Sequence, residues 1–575
     1  MKRQAKLVAL SGVALALVAS GCSSNTGNDS DGAKDHTESS TDIIGTAEDS
    51  KGPASAIDGA KEGGEITILG RDDLVHLDPA RAYVSSYMMV GGGLLWRSLT
   101  GYREEMDGTV KLVGDLATDP GTDVNGDCTV WEYTLKDGLK YEDGSDITAE
   151  DVAYGVARSF YSKIGDGPQF LQDWLDPERK YEGPYDGGEK IPPGVAVDGK
   201  KITFTFSQAR CETPFAVALG TTSPVPEAED KGEKYDDRPF SSGPYKIADR
   251  TLGEKLTLER NEHWDAKTDP LRNAYPDTYS FEWGFDTKDI ANRIEANQSG
   301  DENVMTLGSI HPEVLPNILA DKKSYGDRLI TAPQKYNAYM AIHTEHITDV
   351  DQRRALNHAF PRDRYMQMTG GTDANSPSTT LMAPTVPGWK EYDAYPYDVE
   401  KAKELLGGES LKIRYAYPET PLEGKIADML VEEYGKAGIE VEAVPIPTAD
   451  YYGQIAVRSN DFDLYWASWG QDWPSGSTVI APVWGEDGLA DEGGSNYSFF
   501  TAPEIEKRID EIEAMPVSEG LPLWAELDET IMKDYAPSIP ISYSIGNWIT
   551  GSDIGGLYIS QDISTIDVRK LFLKS

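Results

Sequence analysis

Short segments of alternating or continuous apolar residues recur along the chain and predict β-strands. The segments GEITILG (64–70), VWEYTL (130–135), LKIRYAYP (411–418) and DFDLYWASW (461–469) are rich in β-branched and aromatic residues. Glycine, proline or other turn-forming residues lie close to their ends. Several strands of ordinary length are therefore expected, distributed over the whole sequence.

Apolar residues at helical spacing lie between these strands. Val152, Val156 and Phe160 recur at every fourth position after Thr148, which is a typical residue to begin a helix. The segment 398–407 begins with an aspartate and ends with a glycine, which are the usual signals for the two ends of a helix. Alternation of helices and strands throughout the chain indicates an α/β fold.

The N-terminal segment has the pattern of an export signal. Basic residues in MKRQAK precede the apolar run LVALSGVALALVA, which is too short to be a comfortable permanent membrane span. The following ASGCSS resembles a bacterial lipobox, although Ala19 stands where a larger aliphatic residue is usual. We expect residues 1–21 to be a signal peptide and Cys22 to carry lipid; an ordinary secretory signal is the alternative.

Residues 22–63 are dominated by serine, glycine, aspartate and threonine. Such a composition buries too little apolar surface to offset the entropy lost on folding. We therefore expect a flexible tether over 22–63, between the lipid on the outer face of the cell membrane and a soluble body that starts near residue 64.

Three cysteines are present, and lipidation of Cys22 would leave Cys128 and Cys211 as an even pair. In an oxidising extracytoplasmic compartment such a pair favours a disulfide. Both lie beside strand-like runs that could be neighbours in one sheet. Two separate buried thiols are the alternative.

The charge and the motifs exclude several functions. A formal net charge of −43 would repel phosphate backbones and anionic lipid headgroups, so nucleic-acid binding is not expected. The seven histidines lack metal-site spacing, and neither a phosphate loop nor a nucleophile elbow occurs. We expect no cofactor, no metal and no enzymatic activity.

The segment YWASWGQDWP (465–474) places Asp472 among four aromatic residues. A carboxylate in such surroundings is poorly solvated unless a cation or a hydrogen-bond donor meets it. This acid is therefore a candidate for ligand binding, and a turn or cap aspartate before Pro474 is the alternative.

Several segments occur in the order that is typical of one family. They are HLDPARAY (76–83), GGLLWRSLTGY (92–102), GDLAT (114–118), VWEYTLKDGLKYEDGSDITAEDVAYGVARSF (130–160), SSGPYKI (241–247), LERNEHWD (258–265), YMAIHTEHITDVDQRRALNHAFPRDRY (339–365), YDVEKAKELL (397–406) and DFDLYWASWGQDWP (461–474). The chain resembles the extracytoplasmic solute-binding proteins of ABC importers, family 5, which include oligopeptide- and dipeptide-binding lipoproteins.

The resemblance implies a two-lobed α/β fold of the periplasmic-binding-protein kind (type II), hinged by two crossing strands. Lobe I would comprise residues 64–332 and the return 538–575, with an extra N-terminal subdomain near 102–235. Lobe II would comprise residues 333–537. The crossings are expected near 330–342 and 537–545.

The resemblance also suggests site residues. Asp472 would meet the α-ammonium of a bound peptide, and backbone groups of Ser468 and Gly470 could pair with the peptide main chain. The aromatic residues Trp469 and Trp473 would form pocket walls, with core packing as the alternative. On lobe I the candidate ligand contacts are consecutive: Ala82, Tyr83, Val84 and Ser85.

The implied function is capture of oligopeptides or dipeptides in a closing cleft and delivery to the permease of an ABC transporter, by a monomer. Other readings stay open. The same fold could bind an oligosaccharide, which the tryptophans would suit, or a nickel complex. A receptor that reports a peptide without importing it and a secreted hydrolase are further alternatives.

Overall fold

The computed structural model describes residues 43–575, where three main β-sheets are flanked by helices. The expected signal peptide (1–21) and the lipidation site Cys22 lie outside the described residues. No helix within residues 43–575 combines the length and the apolar composition needed to cross a membrane.

The first sheet forms the body that we call lobe I. Its five strands lie in the order Val304–Met305, Glu65–Leu69, Thr278–Glu282, Lys255–Arg260 and Tyr245–Thr251. The first three run parallel, and the remaining pairs are antiparallel. Alternate residues of Glu65–Leu69 point into one core, so the expected strand at 64–70 is part of the centre of this lobe.

The second sheet forms lobe II. Its six strands lie in the order Asn375–Pro377, Ser538–Ile549, Leu329–Ile342, Leu464–Gly470, Leu411–Pro418 and Ile439–Ile446. The last two run parallel and are joined by the helix Pro421–Lys436. Gly438, with φ of +82°, provides the left-handed residue that ends this helix before the next strand.

Two long antiparallel strands join the lobes: Leu329–Ile342, the first crossing strand, and Ser538–Ile549, the second. Ile330 and Trp548, near one end of the pair, pack against the core of lobe I. Met340, near the other end, packs in the core of lobe II. The pair therefore runs from one core to the other.

The first crossing strand bulges where it passes between the lobes. Pro333 is paired with Ile545 and Asn337 with Tyr543, so residues 334–336 have no direct partners on the second crossing strand. Proline has no N–H to continue the ladder, and a bulge changes the direction of the side chains on either side of it. This bulge is thus available to present side chains at the cleft.

The extra subdomain has a four-stranded antiparallel sheet: Thr122–Asp123, Val130–Thr134, Lys201–Thr205 and Val195–Asp198. All four strands lie within residues 102–235. Cys128 and Cys211 flank the paired central strands and form a disulfide with a Cα–Cα distance of 4.9 Å.

The described residues also include two further strand pairs and fifteen α-helices. The strand pairs are Thr100–Glu104 with Val110–Gly114, and Ile554–Gly555 with Phe572–Leu573. The helices are Ser85–Val90, Ala149–Arg158, Phe170–Leu175, Thr213–Ala216, Thr287–Ala296, Leu315–Ala320, Lys322–Tyr325, Val350–His358, Arg362–Met368, Val399–Leu405, Pro421–Lys436, Tyr451–Ile455, Ser477–Trp484, Pro503–Glu513 and Val517–Tyr535.

The expected tether is wrong for its second half, because residues 43–63 are packed against lobe I. Ile43 is buried, and its carbonyl accepts the Leu112 N–H at 2.8 Å. The N–H of Gly45 donates to the Leu112 carbonyl, and the buried Ser50 hydroxyl oxygen accepts the Gly114 N–H at 2.9 Å. A polar segment can order in this way when a strand edge satisfies its backbone groups.

Replacing both Cys128 and Cys211 by serine should lower the free energy of unfolding by about 2–4 kcal/mol, because the disulfide closes a long loop and restricts the unfolded chain. The two cysteines are 83 residues apart. Urea unfolding of the double variant beside the oxidised protein measures this difference. Equal midpoints and equal slopes would contradict a stabilising cross-link.

Candidate ligand-binding cleft

The strand Leu464–Gly470, which we call the site strand, leads from the core of lobe II to the cleft. It is antiparallel to the first crossing strand along its whole length. Its other neighbour, Leu411–Pro418, pairs with it only at Leu464 and Tyr465. Residues 466–470 therefore have a strand partner on one side only. The Trp466 carbonyl accepts the Tyr451 hydroxyl at 2.7 Å, and backbone groups of residues 467–470 remain free on the other side.

Ser468 and Gly470, the residues expected to pair with a peptide backbone, lie in this one-sided stretch and are half-buried. Gly470 is opposite Tyr336 of the first crossing strand. A Cβ atom at Gly470 would lie 2.7 Å from the Tyr336 ring, so only glycine permits this close approach.

Asp472 follows the site strand and bonds across the cleft. Its Oδ1 accepts the hydroxyl of Tyr83 from lobe I at 2.5 Å, and its backbone N–H donates to Thr478 Oγ1 at 3.1 Å. Burial raises the pKa of the Asp472 carboxyl, while the Tyr83 hydrogen bond and the charge of Lys335 oppose the rise. Among residues 43–575 its other carboxylate oxygen has no hydrogen-bond partner.

The four residues of lobe I that were expected to border the ligand differ in their exposure. Tyr83 and Val84 are exposed, and Ser85 Oγ lies 2.9 Å from the Tyr336 hydroxyl. The prediction for Ala82 is wrong, because its side chain is 2% exposed and packs within the core of lobe I. It has no surface to offer a ligand.

The two tryptophans beside Asp472 differ in how deeply they are buried and in what they contact. Trp469 is half-buried, and its Nε1 donates to the Thr478 carbonyl at 2.7 Å. The prediction that Trp473 is a pocket wall is wrong: the ring is 2% exposed and packs against Phe170 and Trp174 of the extra subdomain. Trp473 therefore joins lobe II to that subdomain.

The polar contacts of this junction converge on Glu212, which follows the disulfide cysteine Cys211. The Glu212 carboxylate accepts Trp473 Nε1 at 2.7 Å, Ser475 Oγ at 2.5 Å and the Ser477 hydroxyl. Burial raises the pKa of Glu212, and these three donors lower it. The segment after Asp472 is thereby fixed to the extra subdomain.

A cavity of about 500 Å³ adjoins the cleft on the lobe I side. It lies where the parallel strands of lobe I end, and open α/β sheets usually bind ligands at that edge. Gly70, Trp283 and Thr306 line it from those strand ends, and Ser85 and Tyr336 line it from the cleft. Val84 and Ser85, which the sequence predicts as ligand contacts, therefore border a space that extends from the cleft into lobe I.

Sequence reasoning missed Lys335 and Tyr336, which also lie at the cleft beside Gly470. Nothing in the sequence motifs distinguishes Lys335 from the chain's other cations, because the bulge that presents it is a property of strand pairing. The signal that could have been used is Pro333 inside a predicted crossing strand, since proline in a strand marks a bulge or an edge. No group of described side chains has the arrangement of a metal site.

Two lobes joined by a crossing pair of strands, with a polar cleft between them, define the class of two-lobed solute-binding proteins. The family model "Bacterial extracellular solute-binding proteins, family 5 Middle" matches residues 111–491. The chain belongs to this family, and the expected α/β fold class is confirmed.

Individual relatives agree with this assignment. The solved structure of clavulanic acid biosynthesis oligopeptide binding protein 2 is similar with a TM-score of 0.82 at 25% identity, covering 92% of this chain and 100% of its own. The periplasmic oligopeptide-binding protein OppA of Salmonella typhimurium is 23% identical over 80% of this chain and 86% of its own. Heme-binding protein A of Haemophilus influenzae is 22% identical over 74% of this chain and 78% of its own.

Glu212→Gln should weaken ligand binding by roughly tenfold, about 1.4 kcal/mol, because an amide cannot accept all three hydrogen bonds at once. The folded protein should keep its circular dichroism spectrum. Glu132→Gln is the matched control, since Glu132 belongs to the same subdomain and pairs with Lys201 at its surface. Equal affinity of the two variants, measured by calorimetry, would rule out a role of this junction in closure.

Proposed function

We propose that this protein captures short peptides with a free α-ammonium between its lobes and delivers them to the permease of an ABC importer. It acts as a monomer tethered outside the cytoplasmic membrane through lipid on Cys22. The observation that carries the proposal is the position of Asp472: a desolvated carboxylate at the cleft, with one oxygen bonded to Tyr83 and the other free.

Two kinds of interaction would hold the peptide. The free oxygen of Asp472 accepts a hydrogen bond from the ammonium, and such a charge-assisted bond is strong where water is excluded. The one-sided stretch 467–470 of the site strand pairs with the peptide backbone. Backbone pairing is indifferent to side chains, so one cleft can accept many sequences.

Closure couples binding to delivery. Tyr83 of lobe I and Asp472 of lobe II touch only when the lobes approach, and the Trp473 junction forms in the same arrangement. A ligand that binds both lobes favours this closed form in proportion to its extra affinity for it. The permease would then distinguish loaded from empty protein by the relative position of the lobes.

The structure gives less support to an oligosaccharide. Sugar stacking needs exposed aromatic faces, but Trp473 is enclosed by protein and Trp469 is half-buried. Peptide capture therefore accounts for more of the observed contacts.

The test uses di-, tri-, tetra- and pentaalanine and their N-acetyl forms. Native mass spectrometry should show complexes with the free peptides and none with the acetylated ones. Asp472→Asn should weaken the tightest of these complexes by at least about thirtyfold, because removal of one partner of a buried ion pair costs about 2 kcal/mol or more.

Asp461→Asn is the matched control, because Asp461 lies at the surface before the site strand and pairs with Arg414. Equal binding of free and acetylated peptides, or unchanged affinity of Asp472→Asn in calorimetry, would overturn the ammonium assignment. Hexose-spaced adducts on the protein as purified would favour the oligosaccharide instead.

A further inference from the structure

Backbone groups of the site strand point alternately toward the first crossing strand and away from it. The carbonyl of Asp463, directly before the site strand, accepts the N–H of His343, directly after the crossing strand, at 2.9 Å. The carbonyl of Trp466 points the other way, where it accepts the Tyr451 hydroxyl at 2.7 Å. Because successive residues of a strand direct their backbone groups to opposite edges, odd-numbered residues face the crossing strand and even-numbered residues face away from it.

Ser468 and Gly470 are the even-numbered residues that follow Trp466 in the site strand. Their N–H and carbonyl groups therefore lie on the side where the described residues provide no strand partner. Both residues are half-buried, so part of their surface can be reached from the cleft. We call residues 467–470 the open edge; it leads directly to Asp472.

The open edge ends at Tyr451. The neighbouring strand Leu411–Pro418 runs parallel to the site strand and pairs with it only as far as Ala416, opposite Tyr465. Beyond that point the neighbouring strand stays with its other partner and leaves the site strand. The Tyr451 hydroxyl lies where the two strands separate, 2.7 Å from the Trp466 carbonyl and 3.4 Å from the Ala416 carbonyl. A chain that pairs with the open edge therefore meets this hydroxyl at the position of Trp466.

The core of lobe II holds Tyr451 in this position. Its side chain is 1% exposed and belongs to the same apolar cluster as Tyr465 and Ala467 of the site strand. It begins the helix Tyr451–Ile455, and its ring meets the Tyr452 ring edge-on with a centroid distance of 5.4 Å. The hydroxyl is therefore fixed before any ligand arrives.

The two ends of the open edge determine how much peptide can pair with it. The ammonium would meet Asp472, which lies beyond the last residue of the site strand, so the peptide runs antiparallel to the strand and toward Trp466. A paired chain places one residue opposite each strand residue. Positions 467–470 therefore accept four residues, about 13 Å of extended chain. A fifth residue would meet the Tyr451 hydroxyl and the end of the neighbouring strand.

We propose that the cleft selects peptides of up to four residues and that Tyr451 is the residue that limits their length. The inference rests on the proposed function and adds the length of the ligand to it. By donating to the Trp466 carbonyl, the Tyr451 hydroxyl satisfies a buried backbone group in the empty site and removes the acceptor that a fifth residue would need. A longer peptide leaves the sheet after its fourth residue and gains no further backbone pairing.

The experiment measures dissociation constants for di-, tri-, tetra-, penta- and hexaalanine by calorimetry. For the wild type, affinity should rise about tenfold from di- to tetraalanine, because the added residues gain backbone hydrogen bonds, and should rise no further. Tyr451→Phe keeps the buried ring and frees the Trp466 carbonyl, so this variant should bind pentaalanine about fivefold more tightly than tetraalanine. Tyr452→Phe is the matched control, since Tyr452 is the next residue of the same helix and is 44% exposed; it should keep the wild-type profile.

The outcomes separate this inference from the proposed function. If wild-type affinity keeps rising threefold or more per residue up to hexaalanine, or if dialanine binds as tightly as tetraalanine, the four-residue limit is wrong; weaker binding of the N-acetyl peptides would still support peptide capture. A limit at four residues that persists in Tyr451→Phe would assign it to the strand end at Ala416 and overturn the role of Tyr451. If no free peptide binds more tightly than its N-acetyl form, the proposed function itself fails.

Discussion

The bulge in the first crossing strand is the constraint on which the cleft depends. Because Pro333 cannot continue the ladder, the pairing with the second crossing strand is interrupted until Asn337. The interruption lies between the two cores, where the strand is held at both ends. Tyr336 and Lys335 can therefore turn toward the cleft while the connection between the lobes remains continuous.

The rest of the site follows from the pairing of this strand. The site strand is positioned by it, and the close approach of Tyr336 requires glycine at position 470. The chain after that glycine leaves the sheet, so Asp472 lies beyond the last strand pair and faces Tyr83. The Asp472 backbone N–H is satisfied within its own lobe by Thr478, whereas its carboxylate has only the Tyr83 hydroxyl of the opposite lobe, or a ligand, as a partner.

The sequence predicts the elements well and their contacts poorly. The helix after Thr148 and the strand at 411–418 are found because capping and apolar periodicity are local. The burial of Trp473 and the packing of residues 43–63 are missed, because both depend on surfaces supplied by distant segments. The position of Asp472 is predicted only through the family resemblance, since no local rule brings Tyr83 to it.

Asp472 bonds to Tyr83 of lobe I, and the next residue, Trp473, bonds to Glu212 of the extra subdomain, which explains how a local contact can control a large movement. Trp473 and the serines that follow bind Glu212 beside the disulfide that fixes the subdomain. The turn 560–564, which contacts Lys335 of the first crossing strand, is fixed to Glu104. The disulfide and the Glu104 hydrogen bonds lie within lobe I and do not depend on lobe II, so little of the binding energy is lost in ordering these groups when the lobes meet. The remaining energy is available to hold the lobes closed.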